Sequence, residues 1–197
     1  MLNKEKIMTR LSFKKFQQTG DSHQAELIKQ AAEDPAKFSE LYRQNVTKVY
    51  RYIYARVNNH AEAEDLTSQV FMAVLQRLPL FGAGGNFNAW LFTIARNKIV
   101  DNYRKEASVV PIETIQNLSS SEDDPFSQLA QKELFTQLRE ALAELTLEQR
   151  ELLQLRFAAQ LSYAEIGLVM GKSEAAVKMS VYRLIDKLQE NLEKSNE

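Results

Sequence analysis

The chain has 197 residues, 44% of them hydrophobic, and its 25 basic and 26 acidic residues leave a net charge of -1. This length allows one or two modest cores, and the balanced charge means that any affinity for nucleic acid must come from local charge distribution. Cysteine is absent, which excludes disulfides, thiolate zinc sites and cysteine nucleophiles. The basic N-terminus precedes no signal-peptide core and no run of about 18 apolar residues. We therefore expect a cytoplasmic protein without membrane insertion.

The first half of the chain has helical periodicity. Apolar residues at intervals of three and four predict a helix over 38–57, which Asn58 and the following asparagine end. A second helix is predicted over 62–78, where Pro79 stops it. The Gly-rich loop FGAGGNFN follows, and a third helix is predicted over 88–107 with Asn88 as N-cap.

Residues 108–127, SVVPIETIQNLSSSEDDPFS, interrupt this pattern. The segment holds acidic residues, two prolines and a serine run but no basic residue, as is typical of a flexible linker. The expected fold is therefore all-α, with two small helical domains joined by an acidic flexible linker.

The second half ends in a predicted helix-turn-helix. Two capping boxes open successive helices, Gly171 supplies a tight turn, and Ser173 is the expected N-cap of the long final helix. Val177, Val181 and Leu184 are expected to face inward. The two boxes are formed by Thr146 with Gln149 and by Ser162 with Glu165.

A short helix, a glycine turn and a longer helix can place the longer helix in the DNA major groove. Small residues at its start allow close approach to phosphate, and outward basic residues can contact phosphates or base edges. The expected DNA contacts are Lys172, Ser173, Ala175, Ala176, Lys178, Met179, Tyr182 and Arg183. An ordinary helical hairpin with a solvated face remains an alternative.

The third predicted helix carries an unusual polar stripe. Leu91, Ile94 and Ile99 are expected to form its buried side, and the opposite side spans about 60° of the helical wheel. That side holds Trp90, Asn97, Asp101 and Arg104, with Arg96 adding positive charge nearby. An aromatic ring, an amide, a carboxylate and a guanidinium together suit single-stranded DNA. The alternative is an i,i+3 ion pair beside a tryptophan that packs on a neighbouring helix.

The second predicted helix has an acidic and amide face edged by large apolar groups. This surface could dock a partner helix that bears arginine, or its acids could merely complement the helix dipole. Its residues are Glu64, Asp65, Ser68, Gln69, Phe71 and Met72.

Three ordered segments, AEDLTSQVFMAVLQRL, FNAWLFTIARNKIVDNYRK and LTLEQRELLQLRFAAQLSYAEIGLVMGKSEAAVKMSVYRLIDKL, resemble the extracytoplasmic-function (ECF) branch of bacterial RNA polymerase sigma factors. The resemblance runs from about Ala25 to Leu192. It implies a basic extension over 1–24, sigma region 2 over 25–107, the linker over 108–127, and sigma region 4 over 128–193.

The resemblance also implies function and partners. Such factors bind core RNA polymerase through its β′ clamp and β flap, recognise duplex and single-stranded promoter DNA, melt it and start transcription. An anti-sigma factor is a further expected partner. By position, the polymerase contact falls on Asp65, Ser68, Gln69 and Phe71, and −10 recognition and melting fall on Phe87, Trp90, Arg96, Asn97, Asp101 and Arg104.

The loop 81–87 corresponds to the segment that captures a flipped promoter base. Many relatives read EDLxQE where this chain has EDLTSQ, so Ser68 replaces a common Gln and Gln69 a common Glu. This departure leaves the detailed pairing at the clamp open. The second domain is expected to read the −35 element.

Two other classes compete with this interpretation. A polymerase-independent helix-turn-helix regulator would dimerise through its N-terminal helices and bind a palindromic operator, which leaves the polar stripe of the third helix unexplained. A metal enzyme would have to use His60 with the acidic run beside it, although helix capping explains those acids. No P-loop or GxSxG motif is present, so we expect no catalysis, no cofactor and no metal.

Overall fold

The computed structural model of the chain describes residues 22–82, 85–107 and 141–194. All regular elements in these ranges are helical, and they form a first unit before residue 108 and a second unit after residue 140. The predicted all-α fold is confirmed. The predicted linker over 108–127 lies outside the described residues.

The first unit contains four helices within its described ranges. They are α1 (Ser22–Ala31), α2 (Pro35–Val57), α3 (His60–Arg77), which a 3-10 turn (Leu78–Leu80) follows, and α4 (Phe87–Ala107). In the second unit, residues 141–143 are helical and precede α5 (Leu147–Leu153), a π-helical turn (Gln154–Ala158), α6 (Tyr163–Met170) and α7 (Glu174–Lys194).

Asparagine and aspartate side chains set the boundaries in the first unit. Asp34 caps α2 by accepting a hydrogen bond from the Ala36 amide at 2.8 Å, and Pro35 fits the first helical position. Asn58 ends α2 in the left-handed region with φ 52°, and Asn59 caps α3 through the Glu62 amide. The predicted break at these asparagines is confirmed.

The structure differs from the sequence predictions for the first unit in two places. Helix α1 lies before the first predicted helix, which covers residues 38–57. The N-cap of α4 is Asn86, whose Oδ1 accepts from the Ala89 amide at 2.9 Å, and not Asn88. Asn88 lies inside α4 and is therefore free to bond elsewhere.

The core of the first unit is formed by the inward faces of α2, α3 and α4. Buried polar groups are satisfied within their own helices, since Asn45 Nδ2 donates to the Leu41 carbonyl and Thr67 Oγ1 donates to the Ala63 carbonyl. The principal buried residues are Leu41, Val49, Tyr52, Ile53, Leu66, Val70, Val74, Leu91, Phe92, Ala95 and Ile99.

The second unit has the predicted helix-turn-helix. Both capping boxes are present, Gly171 ends α6 with φ 72°, and Ser173 Oγ accepts from the Ala176 amide at the start of α7. Val177, Val181 and Leu184 are buried as predicted. The π-helical turn was not anticipated from the sequence.

The units pack against each other. Helix α2 of the first unit lies against the π-helical turn of the second, and α4 lies against α6. No helix within the described ranges combines the length and the apolar character that crossing a membrane requires.

The turn between α6 and α7 depends on Gly167. A Cβ atom there would lie 2.7 Å from the Lys172 carbonyl oxygen, which is backbone and has little room to move. The Gly167 carbonyl also accepts from the Lys172 amide at 2.9 Å. A side chain at this position would therefore push the turn away from α6.

We expect Gly167→Ala to destabilise the second unit, although alanine normally favours a helix interior over glycine by about 0.5–1 kcal/mol. The backbone clash should cost about 1–3 kcal/mol and so exceed that gain. Thermal unfolding followed by circular dichroism should show a lower midpoint. Gly82→Ala is the matched control, because a Cβ there meets no atom within 4 Å. Equal midpoints for the two variants would contradict this account.

Candidate nucleic-acid interface

The outer face of α7 is exposed where the sequence predicts DNA contacts. Met179 and Tyr182 are 52% and 47% exposed, although both are large and apolar or aromatic. Lys178 and Arg183 are exposed beside them, and the small residues Ser173, Ala175 and Ala176 lie exposed at the start of the helix. This face can approach a duplex without any rearrangement of the second unit.

A row of cations and aromatic rings extends this face onto α6. The Arg156 guanidinium lies 4.7 Å from the centroid of Tyr163, whose ring is 6.4 Å from that of Tyr182. Lys178 Nζ lies 5.9 Å from the Tyr182 centroid. The sequence analysis missed Arg156 and Tyr163, since neither lies in the final helix.

A groove of about 420 Å³ runs between α5 and α7, and three basic residues line it. Lys172, in the turn between α6 and α7, forms an ion pair with Glu148 of α5. The hydrogen bond from Lys172 holds the pKa of Glu148 below the usual value. Arg183 and Lys187 also line the groove, so positive charge surrounds the single ion pair there.

The polar stripe of α4 is only partly as predicted. Asn97, Asp101 and Arg104 are exposed, which leaves them available to a nucleic acid. No ion pair joins Asp101 to Arg104 among the described residues, so the ion-pair part of the alternative explanation is wrong. Its other part, a Trp90 ring packed inside the protein, agrees with the burial of that ring.

The prediction that Trp90 is part of an exposed face is wrong, because its side chain is only 5% exposed. Its ring lies 4.8 Å from that of Phe81 and 5.8 Å from that of Phe87, which is also buried. Phe81, which follows the 3-10 turn after α3, packs its ring on this end of α4. Trp90 and Phe87 therefore form the base of the 81–87 loop, of which residues 83 and 84 lie outside the described ranges.

Arg96 makes a contact that the sequence analysis did not anticipate. Its Nε and Nη2 atoms donate to Oε1 and Oε2 of Glu151 at 2.7 and 3.3 Å. This bond raises the pKa of the Arg96 guanidinium. Glu151 lies on α5 of the second unit and is itself buried. The one sequence signal for this contact was a glutamate on the apolar side of LEQRELLQLRF, which would need a basic partner if it were buried.

The predicted docking face of α3 is exposed at its polar residues. Gln69 Nε2 donates to Asp65 Oδ2 at 2.6 Å, and Ser68 Oγ donates to the Glu64 carbonyl. Phe71, in contrast, is only 5% exposed and packs edge-on against Tyr42. The exposed apolar part of this face is therefore formed not by Phe71 but by Met72 and Leu75 of the same helix, which are 58% and 45% exposed.

The acidic run of α3 has structural partners. His60 Nδ1 lies 2.7 Å from the Tyr50 hydroxyl, and Glu62 Oε1 accepts from Asn102 Nδ2 at 2.6 Å. Within the described ranges, no group of three His, Asp or Glu side chains could hold a metal ion. This arrangement links α4 to the start of α3.

Two family models match the chain. The model for sigma-70 region 2 matches residues 41–109, and the model for sigma-70 region 4 matches residues 135–188. The first range contains the polar stripe of α4, and the second contains the helix-turn-helix.

Curated relatives carry matching names. The ECF RNA polymerase sigma factor BldN of Streptomyces coelicolor is 38% identical over 164 residues, which are 81% of this chain and 62% of BldN. The RNA polymerase sigma factor CarQ of Myxococcus xanthus is 30% identical over 159 residues, which are 79% of this chain and 88% of CarQ.

Solved structures agree in fold. The sigma factor RpoE of Bartonella quintana, in complex with the anti-sigma factor NepR, matches with a TM-score of 0.60 and 26% identity over 79% of this chain and 96% of RpoE. CnrH in complex with the cytosolic domain of CnrY matches with a TM-score of 0.63 and 23% identity over 86% of this chain and 97% of CnrH. The chain therefore belongs to the ECF sigma factors of bacterial RNA polymerase.

Proposed function

We propose that this chain binds core RNA polymerase and directs promoter recognition, promoter melting and transcription initiation. The observation that carries the proposal is the presence of separate DNA-compatible surfaces on its two units. The α7 face suits duplex DNA, and the stripe of α4 suits an unpaired strand. A regulator that only binds a duplex operator has no use for the second surface.

The second unit reads the −35 element in this proposal. Helix α7 enters the major groove, where Lys178 and Arg183 contact phosphates or base edges. The exposed start of α7 brings backbone amides and the positive end of the helix dipole close to phosphate. Lys172 contacts the DNA as well, either while it keeps its ion pair with Glu148 or after that ion pair has broken.

The first unit recognises and melts the −10 element. Asn97 and Asp101 supply hydrogen-bonding groups for base edges, and Arg104 and Arg96 hold the strand. Phe87 and Trp90 support the 81–87 loop from beneath, since both rings are buried. A base that leaves the stack must find a pocket, which this loop would provide.

The α3 face is the proposed contact with the β′ clamp. Asp65, Ser68 and Gln69 offer polar groups to an arginine-bearing helix, and Met72 with Leu75 adds exposed apolar area. The second unit contacts the β flap in the same arrangement. Phe71 is buried beneath the α3 face and supports it through packing against Tyr42.

Other features follow from this assignment. The chain works in the cytoplasm, where polymerase and DNA are found, and as a binding factor without catalysis of its own. An anti-sigma factor is a proposed partner, because the related chains RpoE and CnrH were solved with NepR and CnrY.

We assign sigma region 2 to residues 25–107 and sigma region 4 to residues 128–193. A basic extension over 1–24 precedes them, and a linker over 108–127 lies between them.

The α4 stripe can be tested by run-off transcription with purified core polymerase and a library of bipartite promoters. We expect Asn97→Ala combined with Arg104→Ala to lower initiation at least about thirtyfold, because the two lost strand contacts each cost on the order of 1–3 kcal/mol. A premelted promoter bubble should restore part of the activity. Lys29→Ala removes an exposed charge from α1 and is the control. Undiminished initiation by the double variant would remove α4 from promoter melting.

The α7 face can be tested by the salt dependence of holoenzyme binding to a selected promoter. We expect Arg183→Ala to weaken binding and, if it contacts phosphate, to reduce the slope of log K against log salt by about 1. Arg51→Ala, an exposed change in α2, should leave both quantities unaltered. Identical binding curves for Arg183→Ala and the wild type would argue against this role.

The α3 face can be tested by the affinity of the chain for core polymerase. We expect Met72→Asp to raise the dissociation constant about tenfold, since a charge would have to be buried in an apolar contact. Gln44→Asp adds the same charge at an exposed position of α2 and should bind normally. Fluorescence anisotropy of the labelled chain measures both. Normal binding by Met72→Asp would place the contact elsewhere.

A further inference from the structure

A buried carboxylate of the second unit is neutralised by the first unit. Glu151 is only 5% exposed, yet its ionic partner comes from the other unit and not from its own. Arg96 binds both carboxylate oxygens, and the Tyr52 hydroxyl donates to Oε1 at 3.4 Å. Burial raises the pKa of Tyr52, so its hydroxyl keeps the proton that it donates. A forked guanidinium–carboxylate contact of this kind is directional and fixes orientation as well as distance.

Further hydrogen bonds join the units on either side of this ion pair. Asn88 Nδ2 donates to Glu165 Oε1 at 2.7 Å, while the second oxygen of Glu165 serves the capping box of α6. Gln154 Nε2 donates to the Ala55 carbonyl at 2.6 Å from the π-helical turn. The contact therefore involves α2 and α4 on one side and α5, the π-helical turn and α6 on the other.

The chemistry of this contact suits reversible docking. The charged and amide groups that join the units gain hydration in place of these bonds if the units separate. Contacts between domains of one chain commonly combine such polar groups with apolar packing, and here buried apolar residues of both units belong to one cluster.

The docked second unit occupies the DNA-facing helix of the first. Arg96 immediately precedes Asn97 in α4, and its guanidinium holds a carboxylate in the fork that could otherwise hold a phosphate. Asn88 of the same helix is also engaged. The exposed face of α7 takes no part in these contacts. Of the proposed −10 residues, docking therefore engages Arg96, whereas Asn97, Asp101 and Arg104 and the proposed −35 surface stay exposed.

We propose that, in the free chain, the second unit is an intramolecular partner of α4 that competes with single-stranded promoter DNA for Arg96. Glu151 takes the place of a phosphate in the closed chain, and contact of DNA with Arg96 requires the units to separate. The competition with DNA rests on the proposed function, whereas the docking itself rests only on the contacts described above.

Docking can be measured by the distance between two spin labels. The chain has no cysteine, so Gln76→Cys on α3 and Gln189→Cys on α7 label one exposed site on each unit. We expect a narrow distance distribution in the otherwise unaltered chain and a broad one in Glu151→Arg. Arg96→Glu should broaden the distribution likewise, and combining the two reversals should restore the narrow one. Glu190→Arg, an exposed reversal on α7, should leave the distance unchanged.

The charge-reversed pair separates docking from folding, because a merely unfolded variant would not be rescued by a second substitution. Coincident distance distributions for the wild type and Glu151→Arg, or failure of the double reversal to restore the narrow distribution, would overturn the proposed docking. The helical circular dichroism of each variant reports whether both units remain folded.

Competition with DNA can be measured by anisotropy of a labelled single-stranded oligonucleotide that carries the −10 element of a promoter transcribed in the run-off assay. Glu151→Gln should bind it at least about threefold more tightly than the Glu190→Gln control, because a larger fraction of the chain is open. Opening without any gain in affinity would overturn the competition. Failure of the wild-type chain to initiate with core polymerase would count against the proposed function, and the distance measurement does not depend on that result.

Discussion

The ion pair of Glu151 with Arg96 is the contact on which the arrangement of the two units depends. A carboxylate excluded from water must be paired and hydrogen-bonded, and leaving it alone costs several kcal/mol. Its partners lie on α4 and α2 of the first unit, so the bonds of Glu151 favour one orientation of the second unit. In that orientation α4 packs against α6 and α2 against the π-helical turn, and buried apolar residues of both units belong to one cluster.

Helix α4 has different surroundings along its length. At its N-terminal end, the ring of Phe81 packs against those of Phe87 and Trp90, and this aromatic cluster lies where the preceding loop joins the helix. Its middle carries Arg96, which the second unit engages, and its later turns carry the exposed residues Asn97, Asp101 and Arg104. The same helix thus supports a loop, docks a domain and presents polar groups to a proposed ligand.

The second unit keeps its proposed duplex-reading face independent of this docking. Two capping boxes, the left-handed Gly171 and the close approach of Gly167 to the turn all act within α5, α6 and α7. Apart from the bond that Asn88 donates to Glu165, the hydrogen bonds of these features join residues of the second unit. The proposed separation of the units would therefore leave most of the bonds that hold the helix-turn-helix in place.

The sequence alone determined most of the helices, both capping boxes and the helix-turn-helix, because these depend on residues within about four positions of one another. It placed the N-cap of α4 at Asn88, whereas the structure has Asn86 there. The resemblance also led to the family. It did not reveal α1, the π-helical turn, or the burial of Trp90 and Phe71. A helical wheel gives the direction of a side chain but not the segment that covers it, so an outward-pointing aromatic residue reads as exposed. Only the tertiary structure decided that Phe81 covers Trp90, that Tyr42 covers Phe71 and that Arg96 meets Glu151. Each of these contacts joins residues that lie in different elements of the fold.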